Sequence, residues 1–177
     1  MPKFDLEKHL PFRIAAAANL LAFDRDPELM AIADLRLREI RVLVDIGSLG
    51  PIKASDISFK SRVDHFTISR AVKDLIKLKL VHSETDPLDR RSAFLTLSKK
   101  GKIIYDKQVK VILNRTKTLE KALKPAEINS LKDMLKCIEM AAEKMLADKA
   151  RAKLIREGEV SQDQKDMIKW NKKSNEN

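Results

Sequence analysis

Three basic side chains recur at helical spacing in the middle of the chain. Arg70, Lys73 and Lys77 are three and four residues apart, so on a helix they share one face. Guanidinium and ammonium groups arranged in this way pair with anionic oxygens such as those of phosphates. An ordinary solvated helix face shows the same pattern, and the spacing alone leaves both interpretations open.

A second charged cluster lies between two segments of alternating hydrophobicity. Residues 81–85 and 92–97 alternate with period two, and residues 86–91 (Asp-Pro-Leu-Asp-Arg-Arg) separate them. Alternation on both sides of a segment rich in turn-forming residues predicts a β-hairpin. The hairpin therefore has a charged tip that carries Arg90 and Arg91.

The basic helix is the second of two short helices, predicted at 54–60 and at 64–79. Asp64 is a typical N-cap residue, so the second helix is expected to begin there. Its opposite face is apolar and is expected to pack: Ile68, Ala71, Val72 and Leu75. Two short helices joined by a tight turn and followed by a hairpin indicate a winged helix-turn-helix.

The remaining elements are predicted to be helical. The expected helices run from 4 to 22, from an N-cap at Asp34 to a stop within 47–51, from Ser98 to about 123, and from Pro125 to about 147 or beyond. A composition with only four Gly and abundant Leu, Ala, Lys and Glu agrees with this pattern. The predicted fold class is mainly α with a small β-hairpin wing.

Positive charge is concentrated on the predicted helix-turn-helix and wing. The chain carries a net charge of +10, and residues 53–102 hold twelve Lys or Arg against six Asp or Glu, which gives +6 for that segment. Such a distribution favours an anionic polymer as the partner.

Four sequence blocks follow one another along this basic region. They are 67–75 (Thr-Ile-Ser-Arg-Ala-Val-Lys-Asp-Leu), 80–81 (Leu-Val), 86–91 and 97–101 (Leu-Ser-Lys-Lys-Gly). Their order resembles the MarR family of winged helix-turn-helix transcriptional regulators. The resemblance extends from residues 10–12 to about Met145, and it implies a DNA-binding domain plus a helical dimerisation region.

This resemblance implies a homodimer that binds a pseudo-palindromic operator in double-stranded DNA, as a repressor in the simplest case. Residues 64–70 open the recognition helix, and Arg91 is the wing residue expected to enter the minor groove while Asp89 holds its guanidinium. The residues expected to contact DNA are Lys60, Arg62, His65, Phe66, Thr67, Ser69, Arg70, Lys73, Asp89, Arg90 and Arg91.

Phe66 is an apolar ring on the predicted DNA side of the recognition helix. In one interpretation it touches a thymine methyl while Arg70 reads a nearby guanine. In the other, the helix is rotated slightly and Phe66 packs near Phe59. The sequence leaves both open.

Three positions depart from the family pattern. Lys79 stands where a Gly usually closes the recognition helix, which predicts a different helix end because non-Gly residues avoid the left-handed conformation. Ser83 replaces a common basic residue, and Lys53 replaces the Ser or Thr that often caps the preceding helix.

The last predicted helix has the spacing of a helix-helix seam. Its apolar residues follow alternating steps of three and four. Packing within one subunit is the alternative to contact between subunits. With two residues of the first helix, the expected dimer interface comprises Leu10, Ile14, Ile128, Leu131, Leu135, Ile138 and Met145.

The resemblance also implies a small aromatic or phenolic ligand that weakens DNA binding, with Phe12 and Arg13 as candidate lining residues. Cys137, the single cysteine, is expected to be a buried or half-buried thiol rather than an oxidant sensor.

Other functional classes have less support. His9, His65 and His82 are scattered, and we find no metal-ligand cluster, phosphate loop or paired nucleophile and base, so neither an enzyme nor a metal or cofactor is expected. A non-sequence-specific architectural or RNA-binding winged helix remains the alternative. No apolar run spans a membrane, and the cytoplasm is the expected location.

We therefore expect four segments. These are an N-terminal helix of the dimerisation region (1–33), the winged helix-turn-helix (34–98), the C-terminal helices of the dimerisation region (99–147), and a basic, polar tail (148–177) that is partly disordered or a helical extension docking on a partner.

Overall fold

The computed structural model describes residues 4–176, so the outer ends of the first and last predicted segments lie outside the described residues. The predicted fold class is confirmed: the described chain is mainly helical and has a small sheet with strand order β1-β3-β2. The helices are α1 (Leu10–Leu21), α2 (Pro27–Met30), α3 (Leu37–Leu49), α4 (Ala54–Ser61), α5 (His65–Lys77), α6 (Lys99–Glu120), α7 (Pro125–Glu157) and α8 (Gln162–Asn175), and the strands are β1 (Ile52–Lys53), β2 (Val81–Thr85) and β3 (Ala93–Leu97).

Helix α3 begins later than predicted, and it ends at Leu49, inside the segment 47–51 where the stop was predicted. Arg36, not Asp34, is the N-cap, because its N–H donates to the Glu39 carboxylate at 2.9 Å. The helix continues through Gly47, where a Cβ would overlap the ring of Tyr105. Glycine at this position therefore allows close packing and does not end the helix.

Residues up to Ile52 and residues 71–112 form one compact unit. In its hairpin, β2 and β3 pair antiparallel from Val81 opposite Leu97 to Thr85 opposite Ala93. Helix α3 packs against β3. The largest fully buried apolar side chains of this unit are Leu29, Ile40, Leu43, Ile46, Leu75 and Leu80.

Helix α5 ends at a left-handed residue, and the prediction of another helix end is wrong. Lys79 has φ of 59°. Its carbonyl accepts the Ser98 hydroxyl at 2.8 Å, and the Leu80 N–H returns to the Leu75 carbonyl at 2.9 Å. Gly101 lies so close to the Leu80 backbone that a Cβ there would overlap it. These tertiary contacts offset the strain of a non-glycine residue.

Residues 53–70 and 113–176 form the second unit. The boundary expected at residue 148 falls inside α7, which continues to Glu157 and ends at Gly158 with φ of 76°. The tail then forms α8, whose N-cap Ser161 exchanges hydrogen bonds with Gln164. Of the two interpretations of the tail, the structure shows a helical extension, and it packs on α7 of its own chain.

Candidate nucleic-acid interface

The start of α5 is held by a side-chain cap. Asp64 Oδ1 accepts the Thr67 N–H at 2.8 Å, and hydrogen bonds from Thr67 lower the pKa of the Asp64 carboxyl. The carboxylate therefore stays charged beside the positive end of the helix dipole. Thr67, a predicted DNA contact, is half-buried and takes part in this cap.

The two faces of α5 are those that the sequence predicted. Ile68, Ala71, Val72 and Leu75 are buried, and Arg70, Lys73 and Lys77 are exposed. Helix α5 therefore offers a basic surface that its own packing leaves accessible.

The first turns of α5 present an aromatic ring beside an arginine. Phe66 is 66% exposed, so the alternative in which it packs near Phe59 is wrong. The Arg70 guanidinium lies 5.3 Å from the centroid of the Phe66 ring, within cation-π range. His65 Nε2 and Ser69 Oγ are 3.2 Å apart on the same surface.

Of the two predicted DNA contacts just before α5, Lys60 lies at the end of α4 and Arg62 lies in the turn, where Arg62 is bound by the protein itself. Arg62 has φ of 55°, and its guanidinium donates to the Phe59 carbonyl at 2.8 Å. A second contact, 2.7 Å long, joins it to the buried carboxylate of Glu143. Lys60 is exposed. The charge of Arg62 is therefore largely neutralised within the chain.

The tip of the hairpin is organised by Asp86, a residue whose role the sequence analysis did not identify. Asp86 is buried, its Oδ1 accepts the Leu88 N–H at 2.8 Å, and its backbone N–H donates to Ser92 at 3.0 Å. An Asp bonded to the N–H two residues on forms a self-contained turn. The Asp-Pro sequence was the available signal for it.

The turn organised by Asp86 leaves Arg90 and Arg91 exposed. Arg91 Nε lies 3.7 Å from Asp89 Oδ1, which also accepts the Arg91 backbone N–H at 3.1 Å. With its side chain 96% exposed, Arg91 is free to reach an external anion.

The residues expected at a dimer interface are incompletely buried by the described chain. Helix α1 buries none of its residues, and Leu10 on it is 56% exposed. On α7, Leu131, Leu135 and Met145 are 42%, 36% and 51% exposed. The remaining predicted interface residues, Ile14, Ile128 and Ile138, are half-buried.

The candidates for small-molecule and redox sensing are also accessible. Phe12 is 42% exposed and Arg13 is exposed on α1, where their predicted ligand role stays a prediction. Cys137 is exposed, so the expectation of a buried or half-buried thiol is wrong: it lies on a side of α7 that residues 4–176 do not cover. Residues 4–176 contain no His, Cys, Asp and Glu grouping suited to a metal ion, and none of their helices is long and apolar enough to cross a bilayer.

The segment from α3 to the start of α6 matches a known protein family. The family described as a winged helix DNA-binding domain matches residues 35–101. Residues 35–101 are similar to that family and have the winged helix fold. No curated protein matches the sequence.

Solved structures are similar to this chain over more than residues 35–101. A MarR/EmrR family transcriptional regulator from Acinetobacter sp. ADP1 matches with a TM-score of 0.72 and 21% identity, over 80% of this chain and 99% of that one. Sco3205, a MarR family regulator from Streptomyces coelicolor solved in complex with DNA, has a TM-score of 0.65 and 20% identity, over 80% and 91% of the two chains. PcaV from Streptomyces coelicolor, solved with its natural ligand, has a TM-score of 0.65 and 20% identity, over 80% and 99%. The resemblance to MarR-type regulators is confirmed at the level of the fold.

Within the second unit, α8 contacts α4 in a way that sequence reasoning missed. Lys173 in α8 contacts Asp56 in α4 at 2.6 Å, and its ammonium lies 4.8 Å from the Phe59 ring centroid. Asp56 and Lys173 are 117 residues apart, so no local pattern reveals their contact.

Proposed function

We propose that this protein regulates transcription by binding specific sequences in double-stranded DNA. The exposed basic face of α5, within a winged helix DNA-binding domain, carries the proposal. An α-helix fits the major groove, where Arg70 has the geometry to read guanine while Lys73 neutralises phosphate. The exposed Arg91 suits the narrow minor groove.

The proposed reading of sequence involves Phe66 as well as Arg70. An exposed phenyl ring costs free energy in water, and contact with a thymine methyl removes it from solvent. His65, Ser69, Lys60 and Arg90 complete the proposed surface, and the structure leaves His65, Lys60 and Arg90 exposed. Arg62 contributes less because Glu143 already binds it.

The acting species is proposed to be a homodimer. Exposed leucines on α1 and α7 supply apolar surface that a second copy would remove from water. A symmetric dimer presents two recognition helices, which accounts for a pseudo-palindromic operator with half-sites about one helical turn apart. Repression follows in the simplest case, because a bound dimer blocks access to the DNA that it covers.

A small aromatic ligand that relieves repression is part of this proposal. Its support is the fold shared with PcaV, which was solved with its natural ligand. The proposed lining residues, Phe12 and Arg13, offer a ring for stacking and a cation for an acidic group. A regulator of this kind acts by binding, not by catalysis, and we place it in the cytoplasm.

Selection of bound duplexes from a random pool, followed by titration of the winning sequence at several salt concentrations, tests the proposal. Neutralising six to ten phosphates predicts that affinity falls roughly 10³- to 10⁵-fold between about 50 and 200 mM salt. The selected site is expected to be a pseudo-palindrome. A pool that stays random after selection supports the architectural alternative, and preference for single-stranded RNA supports the RNA-binding one. Either result contradicts the proposal.

A further inference from the structure

A cavity of about 240 Å³ lies between α8, α4 and the first residue of α5, all within the second unit. Its walls include Phe59 and Ser55 from α4, His65 from α5, and Asp166 and Trp170 from α8. This volume is slightly below the usual range for small-molecule pockets and is suited to a compound with one ring.

Asp166 brings an unsatisfied acceptor to this cavity. The residue is only 6% exposed, and its Oδ1 accepts the Gln162 side-chain amide at 3.1 Å. Its Oδ2 is buried and has no hydrogen-bond partner among the described residues. A buried carboxylate oxygen without a donor is costly, so a ligand that supplies one gains affinity.

Two cations near the cavity are paired with other acids. Lys173 contacts Asp56 at 2.6 Å, and Arg62 contacts Glu143 at 2.7 Å. Lys169 lines the cavity, but its side chain is exposed to solvent. The walls of the cavity therefore include both the Asp166 carboxylate, one oxygen of which has no partner among residues 4–176, and the aromatic side chain of Trp170.

We propose that this cavity binds a small planar aromatic compound bearing an amine or amidine group. The N–H donors of the compound pair with the Asp166 carboxylate, a charge-assisted contact, and its ring packs beside Trp170 and Phe59. The lining residues differ from Phe12 and Arg13, the residues proposed for the other ligand, and this ligand donates hydrogen bonds where a phenolic acid accepts them.

Wall residues of the cavity belong to the helix-turn-helix, so a bound ligand contacts it directly. Ser58, a wall residue, donates its hydroxyl to the Val63 carbonyl at 2.7 Å and so shapes the turn before α5, and His65 begins α5. A bound ligand therefore stiffens the turn and changes operator affinity. This consequence, unlike the binding itself, rests on the proposed function.

Trp170 is the single tryptophan of the chain, so its fluorescence reports directly on the cavity. We would titrate the full-length protein with benzamidine and, as a matched probe, with benzoate, which has the same ring but an acceptor in place of the donors. Benzamidine is expected to change the fluorescence saturably and benzoate is not. No saturable change up to about 10 mM benzamidine, or equal binding of benzoate, overturns the proposal, since efficient ligands of this size bind within that range.

Two variants locate the binding. Asp166→Asn keeps the shape and removes the charge, and should weaken benzamidine about tenfold or more, as expected for a lost hydrogen bond to a charged group. Asp163→Asn, exposed on the same helix, is the control and should bind normally. Ser55→Leu, which fills the mouth of the cavity, gives an independent check should Asp166→Asn not fold. Wild-type affinity in a folded Asp166→Asn or Ser55→Leu protein refutes the assignment.

Operator affinity, measured with and without saturating benzamidine, separates the two proposals. A shift that Asp166→Asn abolishes supports both. Fluorescence binding without an operator shift supports the cavity and contradicts its coupling to the turn. Failure to bind any selected duplex contradicts the proposed function and leaves the fluorescence result to decide the ligand site.

Discussion

The Arg62 guanidinium and the Glu143 carboxylate form a 2.7 Å ion pair that joins the turn before α5 to the middle of α7. Glu143 is only 5% exposed and also accepts hydrogen bonds from Asn171 at 3.5 Å and from Ser174 at 3.1 Å. Arg62 additionally lies 4.5 Å from the Phe59 ring centroid. The Arg62–Glu143 pair thus connects α4, α7 and the tail helix α8.

Arg62→Ala should lower the free energy of unfolding by about 2 kcal/mol, because it leaves the buried Glu143 without its cation. Lys60→Ala, an exposed change in the last turn of α4, should cost less than about 0.5 kcal/mol. Urea denaturation measures both. In DNA titrations at a temperature where the protein is folded, Arg62→Ala should leave the salt dependence nearly unchanged. A slope reduced by about one unit would show instead that Arg62 contacts a phosphate.

Phe66→Ala should keep the melting temperature and relax the preference for thymine at one position in each half-site, with a loss of discrimination of about 1–3 kcal/mol. Its ring is exposed, so truncation removes little packing. Arg70→Ala should have the matching effect at a guanine. Repeating the duplex selection with each variant measures this. An unchanged selected sequence with Phe66→Ala would exclude the ring from base reading.

Arg91→Ala should weaken operator binding and leave the fold and the oligomeric state intact, because the side chain is 96% exposed and its contact with Asp89 is local. Fluorescence anisotropy with labelled operator measures the change. Lys165→Ala, an exposed charge removed from α8, is the control for a general loss of positive charge. Equal losses in the two variants would argue against a specific role for the wing.

Leu135→Asp should dissociate or unfold the proposed dimer, since it places a charge in an apolar interface. Asn129→Asp adds a carboxylate to an exposed site of the same helix and should leave the dimer unchanged. Sedimentation velocity distinguishes the species. A normal dimer with Leu135→Asp would show that the interface lies elsewhere.

Asp45 should make stability depend on pH. Burial raises its pKa from 3.8 to about 6, although Arg41 opposes the shift. A raised folded-state pKa favours the folded protein below the unfolded value, and this contribution is lost as pH rises through about 6. Asp45→Asn should therefore gain on the order of 1 kcal/mol at about pH 8, a value discounted for partial solvation, and nothing below about pH 4. Thermal unfolding across this range, with Asp163→Asn as control, measures it; a pH-independent difference would contradict the assignment.

The local sequence pattern was sufficient for the elements of the winged helix domain. The spacing of Ile68, Ala71, Val72 and Leu75 predicted the buried face of α5, and the alternation in residues 81–85 predicted β2 to the residue. Both patterns follow from the repeat of a single helix or strand, and neighbouring residues encode that repeat.

Contacts between distant segments of the chain were determined only by the tertiary structure. Lys79 takes a left-handed conformation because Ser98 binds its carbonyl, and Arg62 is drawn from the proposed DNA surface by Glu143. The tail reads as polar and charged, yet it folds as α8 and packs on α7, where Trp170 is buried and Asn171 donates to Glu143. Lys173 adds a contact with Asp56 of α4. Periodicity records which face of a helix is apolar but not what will cover it, so these pairings depend on contacts between residues far apart in the chain.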